Sequence, residues 1–320
     1  MNKSKRTWII IGVSLTIVGL FIFLGAIAAL KFDFTMLNTA KYVTNSYETD
    51  EFFNKISIDA NIADIVFVPS DDENCRVVCY EQERLKHSVT VKDQTLVIDT
   101  VDNRKWYEHI GFFFGNMKVT VYLPHKEYAS LLIDSDTGDI DIPKDFSFEN
   151  IRITGATGDV TLSASASDSI TVRMSTGTIT ADNISSKEIS LSTATGDINI
   201  SSAEAKGLIY AETNTGRIKL TDVACKNFTA ESDTGNIILR NVSADDSFSI
   251  KSSTGNVKFE SSDAGQIYVK TSTGDVSGTL LSEKVFITDT STGDVSVPKS
   301  VTGGKCEIIT STGDIEISIQ

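Results

Sequence analysis

A Thr-Gly dipeptide recurs along the last two thirds of the sequence at an almost constant spacing. The ten copies begin at Thr137, Thr157, Thr176, Thr195, Thr215, Thr234, Thr254, Thr273, Thr292 and Thr312. Successive copies are therefore 19 or 20 residues apart. Repetition at a short fixed period is typical of chains in which each repeat buries its apolar face against the neighbouring repeats.

Apolar residues flank each Thr-Gly pair at fixed offsets, six and four positions before the Thr and three and five positions after it. In the fourth copy they are Ile189, Leu191, Ile198 and Ile200. With Ala and Cys counted as apolar, 38 of these 40 positions fit, and the exceptions are Gly278 and Thr288. Two-residue alternation indicates β-strands with one buried face, so each repeat carries two short strands.

The phase of the alternation shifts by one residue across each Thr-Gly pair. Such a shift would turn the following side chains to the wrong face unless the backbone bent there. Glycine takes a positive φ without a Cβ penalty, so we expect a corner at glycines such as Gly235. The sequence thus predicts an all-β fold, a parallel β-solenoid of about 19 residues per coil, with coils about 4.8 Å apart in a rod of roughly 43 Å. A further apolar residue eight or nine positions after six of these threonines suggests another corner or a short third strand: Ile184, Ala203, Val223, Val242, Leu281 and Val301.

The region before the regular repeats, residues 51–130, is irregular. The segment "SIDANIADIVFVPS" at 57–70 resembles "LIDSDTGDIDIPK" at 132–144, with Ala63-Asp64-Ile65 over Gly138-Asp139-Ile140. This similarity predicts a degenerate coil near residue 63. We expect strands 89–98 and 118–124 to lie between that coil and the ten regular repeats of 131–320, so that 51–320 forms one elongated domain.

An uncharged apolar segment of 23 residues, 8–30, lies close to the N terminus. It is long enough to cross a bilayer as a helix. Lys3, Lys5 and Arg6 precede it, which favours a cytoplasmic N terminus (1–7), a connector (31–50) and an extracytoplasmic domain, in a single-pass protein of the plasma membrane. The alternative is a signal peptide cleaved near Ala26-Ile27-Ala28.

Charge and cysteine usage narrow the range of partners and cofactors. The formal net charge of −14 argues against nucleic acid as a partner and against polybasic binding to anionic lipid. Cys75 and Cys79 share one strand face about 13 Å apart, too far for a disulfide. Cys225 and Cys306 lie several coils apart. We therefore expect buried free thiols, no zinc site and no cofactor.

The residue after each corner glycine forms a column along one edge of the rod, and most of its members are Asp or Asn. One hypothesis is a calcium ladder at Asp275, Asp294 and Asp314. The sequence favours the alternative that Asp and Asn bond nearby backbone in tight turns, because Arg217 interrupts the column and calcium needs six to eight oxygen ligands. Both threonines of each Thr-x-Thr corner share the inward parity, which predicts a corner ladder of hydroxyl groups.

Two further segments are candidate interaction sites. The first holds five aromatic residues within nine positions: Trp106, Tyr107, Phe112, Phe113 and Phe114. They either cover the open N-terminal end of the core or form a docking patch for a partner.

The second segment is the last strand of the chain, where Ile315, Ile317 and Ile319 alternate with polar residues. If this strand ends the stack, its unpaired backbone groups would accept a strand from a partner or from a second copy. The alternative is that Glu316 and fraying keep this edge monomeric.

No nucleophile or metal-protease motif accompanies the three histidines, His87, His109 and His125. The apolar anchor, "ADIVFVPSDD", "RKWYEHIGF" and the run of "STGD" coils together resemble the "putative adhesin" family of bacterial membrane-anchored proteins with β-strand repeats, common in Gram-positive bacteria. This resemblance covers nearly the whole chain and implies a right-handed β-solenoid of the cell envelope with no established activity.

The sequence therefore favours a non-enzymatic, membrane-anchored scaffold or adhesin-like interaction module, whose partner would be an envelope protein or a glycan. Two alternatives stay open. One is a carbohydrate-active enzyme of the cell wall built on a β-helix, because such sites assemble from successive coils and leave no local motif. The other is a self-assembling structural β-helix.

Overall fold

A computed structural model of the chain describes residues 3–29, 40–72, 74–109 and 115–320. Its first element is a single α-helix, α1 (Lys3–Ala29). Among the described residues, α1 is the helix that is long and apolar enough to cross a membrane, a property shared by membrane spans and signal sequences. It covers the predicted span up to Ala29, and Leu30 lies outside the described residues.

The other elements in the described ranges are strands, together with a 3₁₀ helix at Trp106–His109. The strands before the regular repeats are β1 (Tyr42–Thr49), β2 (Lys55–Ile62), β3 (Asp64–Ser70), β4 (Cys75–Gln82), β5 (Leu85–Lys92), β6 (Thr95–Asp102) and β7 (Lys118–Pro124). The strands of the repeats are β8 (Glu127–Thr137), β9 (Ile140–Ile142), β10 (Ser147–Thr157), β11 (Val160–Leu162), β12 (Ser165–Thr176), β13 (Ile179–Asp182), β14 (Ser185–Ser186), β15 (Glu188–Thr195), β16 (Ile198–Thr215), β17 (Ile218–Thr234), β18 (Ile237–Thr254), β19 (Val257–Thr273), β20 (Val276–Leu280), β21 (Lys284–Thr292), β22 (Val295–Ser296), β23 (Gly304–Thr312) and β24 (Ile315–Ile319).

The repeats form a parallel β-solenoid, as the period predicts. Coils stack in register, so that β16 pairs with β17 from Ile198 opposite Ile218 through to Thr215 opposite Thr234. The apolar residues at the four fixed offsets point inward along most of the stack and join one continuous hydrophobic core. Stacking is necessary because one coil alone has too little apolar surface to be stable.

The Thr-Gly pair is the corner that the phase shift predicts. Gly235 has a φ of 148°, and its N–H donates to the carbonyl of Thr254 in the next coil at 2.9 Å. A Cβ at Gly235 would lie 1.8 Å from the carbonyl oxygen of Gly216 in the preceding coil. Only glycine therefore fits this corner, both because of its backbone angle and because the coils approach each other so closely.

A second corner follows seven residues after each Thr of the central coils. Five non-glycine residues adopt a left-handed conformation there, with φ between 49° and 56°: Asn183, Ser202, Asp222, Asn241 and Ser261. Short polar side chains tolerate this conformation better than most residues do. The predicted extra corner is thus present, and strands such as β14 and the middle of β17 follow it.

The degenerate coil near residue 63 is confirmed in the predicted register, but its place in the stack differs from the prediction. It consists of β2 and β3, and Ile65 lies opposite Ile140. This coil packs directly on the first regular repeat, because β2 pairs with β8. Strands β6 and β7 lie on its other side, paired with β2 and β3 respectively. The chain thus forms the inner coil of β2 and β3 first and then the outer coil, which includes β6 and β7. It then passes the inner coil and begins the regular stack with β8 on the opposite side of β2.

An antiparallel layer covers the outermost of these coils. Strand β5 pairs with β6, β4 pairs with β7, and β1 pairs with β4, all antiparallel. The predicted connector 31–50 is therefore wrong over residues 42–49, which belong to the folded layer as β1. Residues 30–39 lie outside the described part of the chain.

At the other end of the stack, too, the order of the coils differs from their order in the sequence. Strand β23 pairs with β19 on one side and with β21 on the other. Strand β24 likewise lies between β20 and β22, with Ile315 opposite both Val276 and Val295. The expectation that β24 as a whole is the open edge is therefore wrong, because β22 lies outside Ile315 and Glu316; in the described residues, the rest of β24 pairs with β20.

Candidate interaction surfaces and a buried cysteine–histidine cluster

The coil formed by β21 and β22 is the outermost coil at the end of the stack opposite the antiparallel layer. In the described residues, β21 pairs with β23 and β22 pairs with β24, each on one side only. Residues at this end are exposed although inner coils bury their equivalents: Val295 is 45% exposed, and its counterpart Ile315 is fully buried. Leu281, Ile287 and Val301 are exposed as well. This end therefore combines unpaired backbone with apolar side chains, the features of an edge that accepts another strand.

The isoleucines predicted as the binding edge lie one coil further in. Ile315 and Ile317 are buried in the core, and Ile319 is partly buried against it. The backbone of β24 pairs on both sides at Ile315 and Glu316 and with β20 from Ile315 to Ile319, and the side chains of these three isoleucines pack against the core. The sequence showed an alternating strand at 314–320, and the pairing order explains why that strand is not the edge.

The column of residues after the corner glycines forms a hydrogen-bonded ladder. Oδ1 of Asp275 accepts the backbone N–H of Asp314 at 2.9 Å, and Oδ1 of Asp314 accepts the backbone N–H of Asp294 at 2.8 Å. Asn256 plays the same part for the N–H of Asp275 at 2.9 Å. The side chains thus bond backbone of the next coil rather than of their own turn, and because Asn substitutes for Asp, the ladder depends on the acceptor oxygen rather than on charge.

The Thr-x-Thr corners behave as predicted for the first threonine only. Thr193 and Thr213 are buried, and their hydroxyl groups donate to the carbonyls of Gly177 and Gly196 in the preceding coil, at 3.2 and 3.0 Å. The second threonine, represented by Thr195, is exposed. The expectation that both positions point inward is therefore wrong, because the backbone bends already at the second threonine.

The aromatic segment places its described members on the surface. Trp106 is 78% exposed and Tyr107 is 49% exposed, with their rings packed edge to face at 5.9 Å. These two side chains do not cover the open end of the core, which β1, β4 and β5 cover instead. Phe112, Phe113 and Phe114 lie outside the described residues. A docking role for this segment stays a prediction.

The antiparallel layer encloses a cluster that the sequence did not predict. Cys79 and Glu81 on β4 and His87 on β5 are buried, and one donor atom of each lies within 4.8 Å of the others. Spacings between cysteines do not reveal this cluster, because only one of its three members is a cysteine. The available signal was Cys79-x-Glu81, two side chains on one strand face, followed by His87 across the tight turn that pairs Gln82 with Leu85.

All four cysteines are buried and free, as predicted. Burial raises the pKa of the Cys75, Cys79, Cys225 and Cys306 thiols to about 12. These thiols are therefore protonated and unreactive near neutral pH unless another group stabilises the thiolate.

Comparison with solved structures shows the same fold in one bacterial protein and a weaker similarity in others. A "putative adhesin" from Parabacteroides distasonis matches with a TM-score of 0.53 at 14% identity, over 88% of this chain and 98% of that one. A "putative adhesin" from Bacteroides fragilis is similar at a TM-score of 0.42 and 18% identity, over 87% of this chain and 97% of its own. A "putative lipid binding protein" from Parabacteroides distasonis follows at 0.46 and 17%, over 75% and 95%.

Comparison with curated proteins found no significant match. The model of the Toastrack DUF4097 family matches residues 53–209 and again 206–320, which together are most of the chain and the whole regular stack. The described solenoid agrees with that assignment. This chain therefore belongs to the Toastrack DUF4097 family.

Proposed function

We propose that this protein is a non-enzymatic interaction module of the cell envelope, anchored in the plasma membrane by α1 with the solenoid outside. The observation that carries the proposal is the open outer coil of β21 and β22. It lies at the end of the stack opposite β1, the strand that follows the anchor and its connector. A rod attached at one end presents its other end to partners.

The chemistry of the open end favours an extended polypeptide segment as the partner. Unpaired N–H and C=O groups along β21 are satisfied by another strand, and exposed Ile287, Val295 and Val301 supply apolar contact area. Binding of this kind requires no enclosed site. Structures with the same fold carry the name "putative adhesin", which supports a binding role over catalysis.

The binding test uses the full chain in its own cells. A photo-crosslinking amino acid is placed at Ile287, which is 50% exposed on β21, and at Leu132, which is 44% exposed on β8 near the other end. We expect crosslinks at position 287, mapped by mass spectrometry to one extended segment of an envelope protein. Crosslinks to a second copy of this chain would show that the open end mediates self-association instead of binding another protein. Equal crosslinking at both positions would contradict the proposal.

The orientation is tested separately. Protease added to intact cells stripped of their wall should remove the solenoid and spare a fragment containing α1. Full-length protein that is protected until lysis would show that the orientation is wrong. Release of an intact solenoid lacking α1 into the medium would show that α1 acts as a signal sequence.

A further inference from the structure

The cluster of Cys79, Glu81 and His87 lies between β4 and β5, beneath β1. The two strands pair at Gln82 and Leu85 and then part, because β4 continues between β1 and β7 whereas β5 continues along β6. The three side chains fill the space where the strands separate. All are buried, and the side chains of Glu81 and His87 are completely inaccessible to solvent.

Glu81 fixes the orientation of the imidazole ring. Its Oε2 accepts the backbone N–H of His87 at 2.6 Å and contacts Nδ1 of the same residue at 2.8 Å. Its Oε1 accepts a hydrogen bond from the side-chain amide of Asn45 on β1 at 2.6 Å. Oε2 of Glu81 and Nδ1 of His87 thus already point at the same place, where one cation could contact both atoms.

The other ring nitrogen, Nε2, is buried and has no hydrogen-bond partner in the described part of the chain. If the imidazole is protonated, Nε2 carries a buried donor without an acceptor. If the imidazole is neutral, Nε2 is a buried acceptor without a donor, and the charge of Glu81 has no cation beside it. Both states cost free energy. A divalent cation bound between Oε2 of Glu81 and Nδ1 of His87 supplies the positive charge that the buried carboxylate lacks when the imidazole is neutral.

The donor set indicates which cation fits. A thiolate, an imidazole and a carboxylate are all ligands of zinc, whereas calcium and magnesium prefer oxygen atoms alone. A thiolate and a carboxylate together also balance the charge of a divalent ion, which suits a site without access to solvent. Distances within 4.8 Å between the donor atoms allow one ion to contact all three after small side-chain movements.

We propose that Cys79, Glu81 and His87 bind one zinc ion, which fastens β4 to β5 within the antiparallel layer. The ion is structural, because the site is enclosed beneath β1. Zinc binding is then coupled to folding of this layer and is independent of any partner at the outer coil.

The test compares the full chain with two ligand variants and one control, all purified in detergent and treated with chelator. The ligand variants are Cys79→Ser and His87→Gln. The control is Cys225→Ser, which removes another buried thiol far from the cluster. Zinc is titrated in competition with a chromophoric chelator, bound metal is counted by mass spectrometry, and cobalt is substituted to detect a thiolate-to-metal absorption band.

We expect one zinc per chain for the wild type and for Cys225→Ser, and a cobalt–thiolate band in both. Each ligand variant should bind zinc at least about 10-fold more weakly, the loss that follows even from disturbing an outer partner of a zinc site. Cys79→Ser should also lack the band. If one ligand variant fails to fold, zinc binding by the other variant tests the proposal, because Cys79→Ser keeps the imidazole and His87→Gln keeps the thiol. Absence of stoichiometric zinc in the wild type, or equal binding by all variants, would overturn the proposal.

Discussion

Each Thr-Gly corner places a glycine directly against the glycine carbonyl of the preceding coil. A methyl group at Gly235 would overlap the oxygen of Gly216, and the φ of 148° is one that side chains rarely adopt. We expect Gly235→Ala to lower the free energy of unfolding by at least about 3 kcal/mol, the upper cost of such a backbone conformation in other residues. Denaturant unfolding measures this change. The neighbouring exposed substitution Asp233→Ala serves as the control, and a Gly235→Ala loss no larger than that of the control would show that the coils do not stack in this register.

The carboxylate ladder leads to a different expectation for Asp275. Asp275→Ala removes the acceptor for the N–H of Asp314, so it should lower the free energy of unfolding by about 1 kcal/mol. Asp275→Asn keeps an acceptor oxygen, as Asn256 does one coil earlier, and should change little. Thermal melting with calcium and with chelator checks both. A large upward shift in melting temperature with calcium that Asp275→Asn abolishes would reinstate the calcium ladder.

Individual residues also show where prediction from the sequence stops. The corner role of the glycines, the buried thiols and the register of Ala63 to Ile65 over the first repeat all follow from local alternation and similarity. The cluster of Cys79, Glu81 and His87 does not, because it depends on β4 and β5 separating after a tight turn. That separation is imposed by their different neighbours in the layer, which no local pattern encodes.

Ion pairs between neighbouring strands link the coils at the level of elements. Glu260 on β19 accepts a hydrogen bond from Nε of Arg240 on β18 and contacts Lys258, and these two cations, Arg240 foremost, lower its pKa to about 2. A carboxyl group with a lowered folded-state pKa stabilises the protein above its ordinary pKa of about 4.5 and loses that contribution as the pH falls towards 2.

Glu260→Gln should therefore reduce the stability of the protein at pH 6 and have less effect at pH 2, where the wild-type carboxyl group is becoming protonated. Melting temperatures across this range test the expectation, with Glu149→Gln at an exposed position of β10 as the control. A Glu260→Gln effect that is the same at both pH values would show that the ion pair does not stabilise the fold.

The identity of the elements was predictable, whereas their order in the stack was not. A parallel ladder is made by backbone groups, and every corner has nearly the same sequence, so any coil can lie on any other. Local similarity therefore could not show that β24 lies inside β22. One residue did indicate the outer coil. Thr288 breaks the apolar pattern, and it lies on β21, where a side chain at an inward position is less buried than in the inner coils.

At the scale of the whole molecule, both ends of the stack depart from sequence order, but they differ in whether another layer covers them. At the first end the chain forms the inner coil before the outer one, whereas at the other end it forms the outer coil first and then inserts β23 and β24 between that coil and the preceding one. The first end is covered by the antiparallel layer of β1, β4 and β5. In the described residues, no equivalent layer covers β21 and β22. This asymmetry underlies the proposal that one end faces the anchor and the other faces partners.

Hydrogen–deuterium exchange on the full chain in detergent tests this order of coils most directly. Backbone amides of β23, which pairs with β19 on one side and β21 on the other, should exchange slowly, with the inner coils, because they open only when the stack unfolds. Amides of the outer coil, β21 and β22, should exchange faster, because one side of it lacks a paired strand. The opposite order, with Cys306 to Thr312 exchanging faster than Lys284 to Thr292, would show that β23 forms the open edge and would contradict both the stack order and the interaction surface proposed from it.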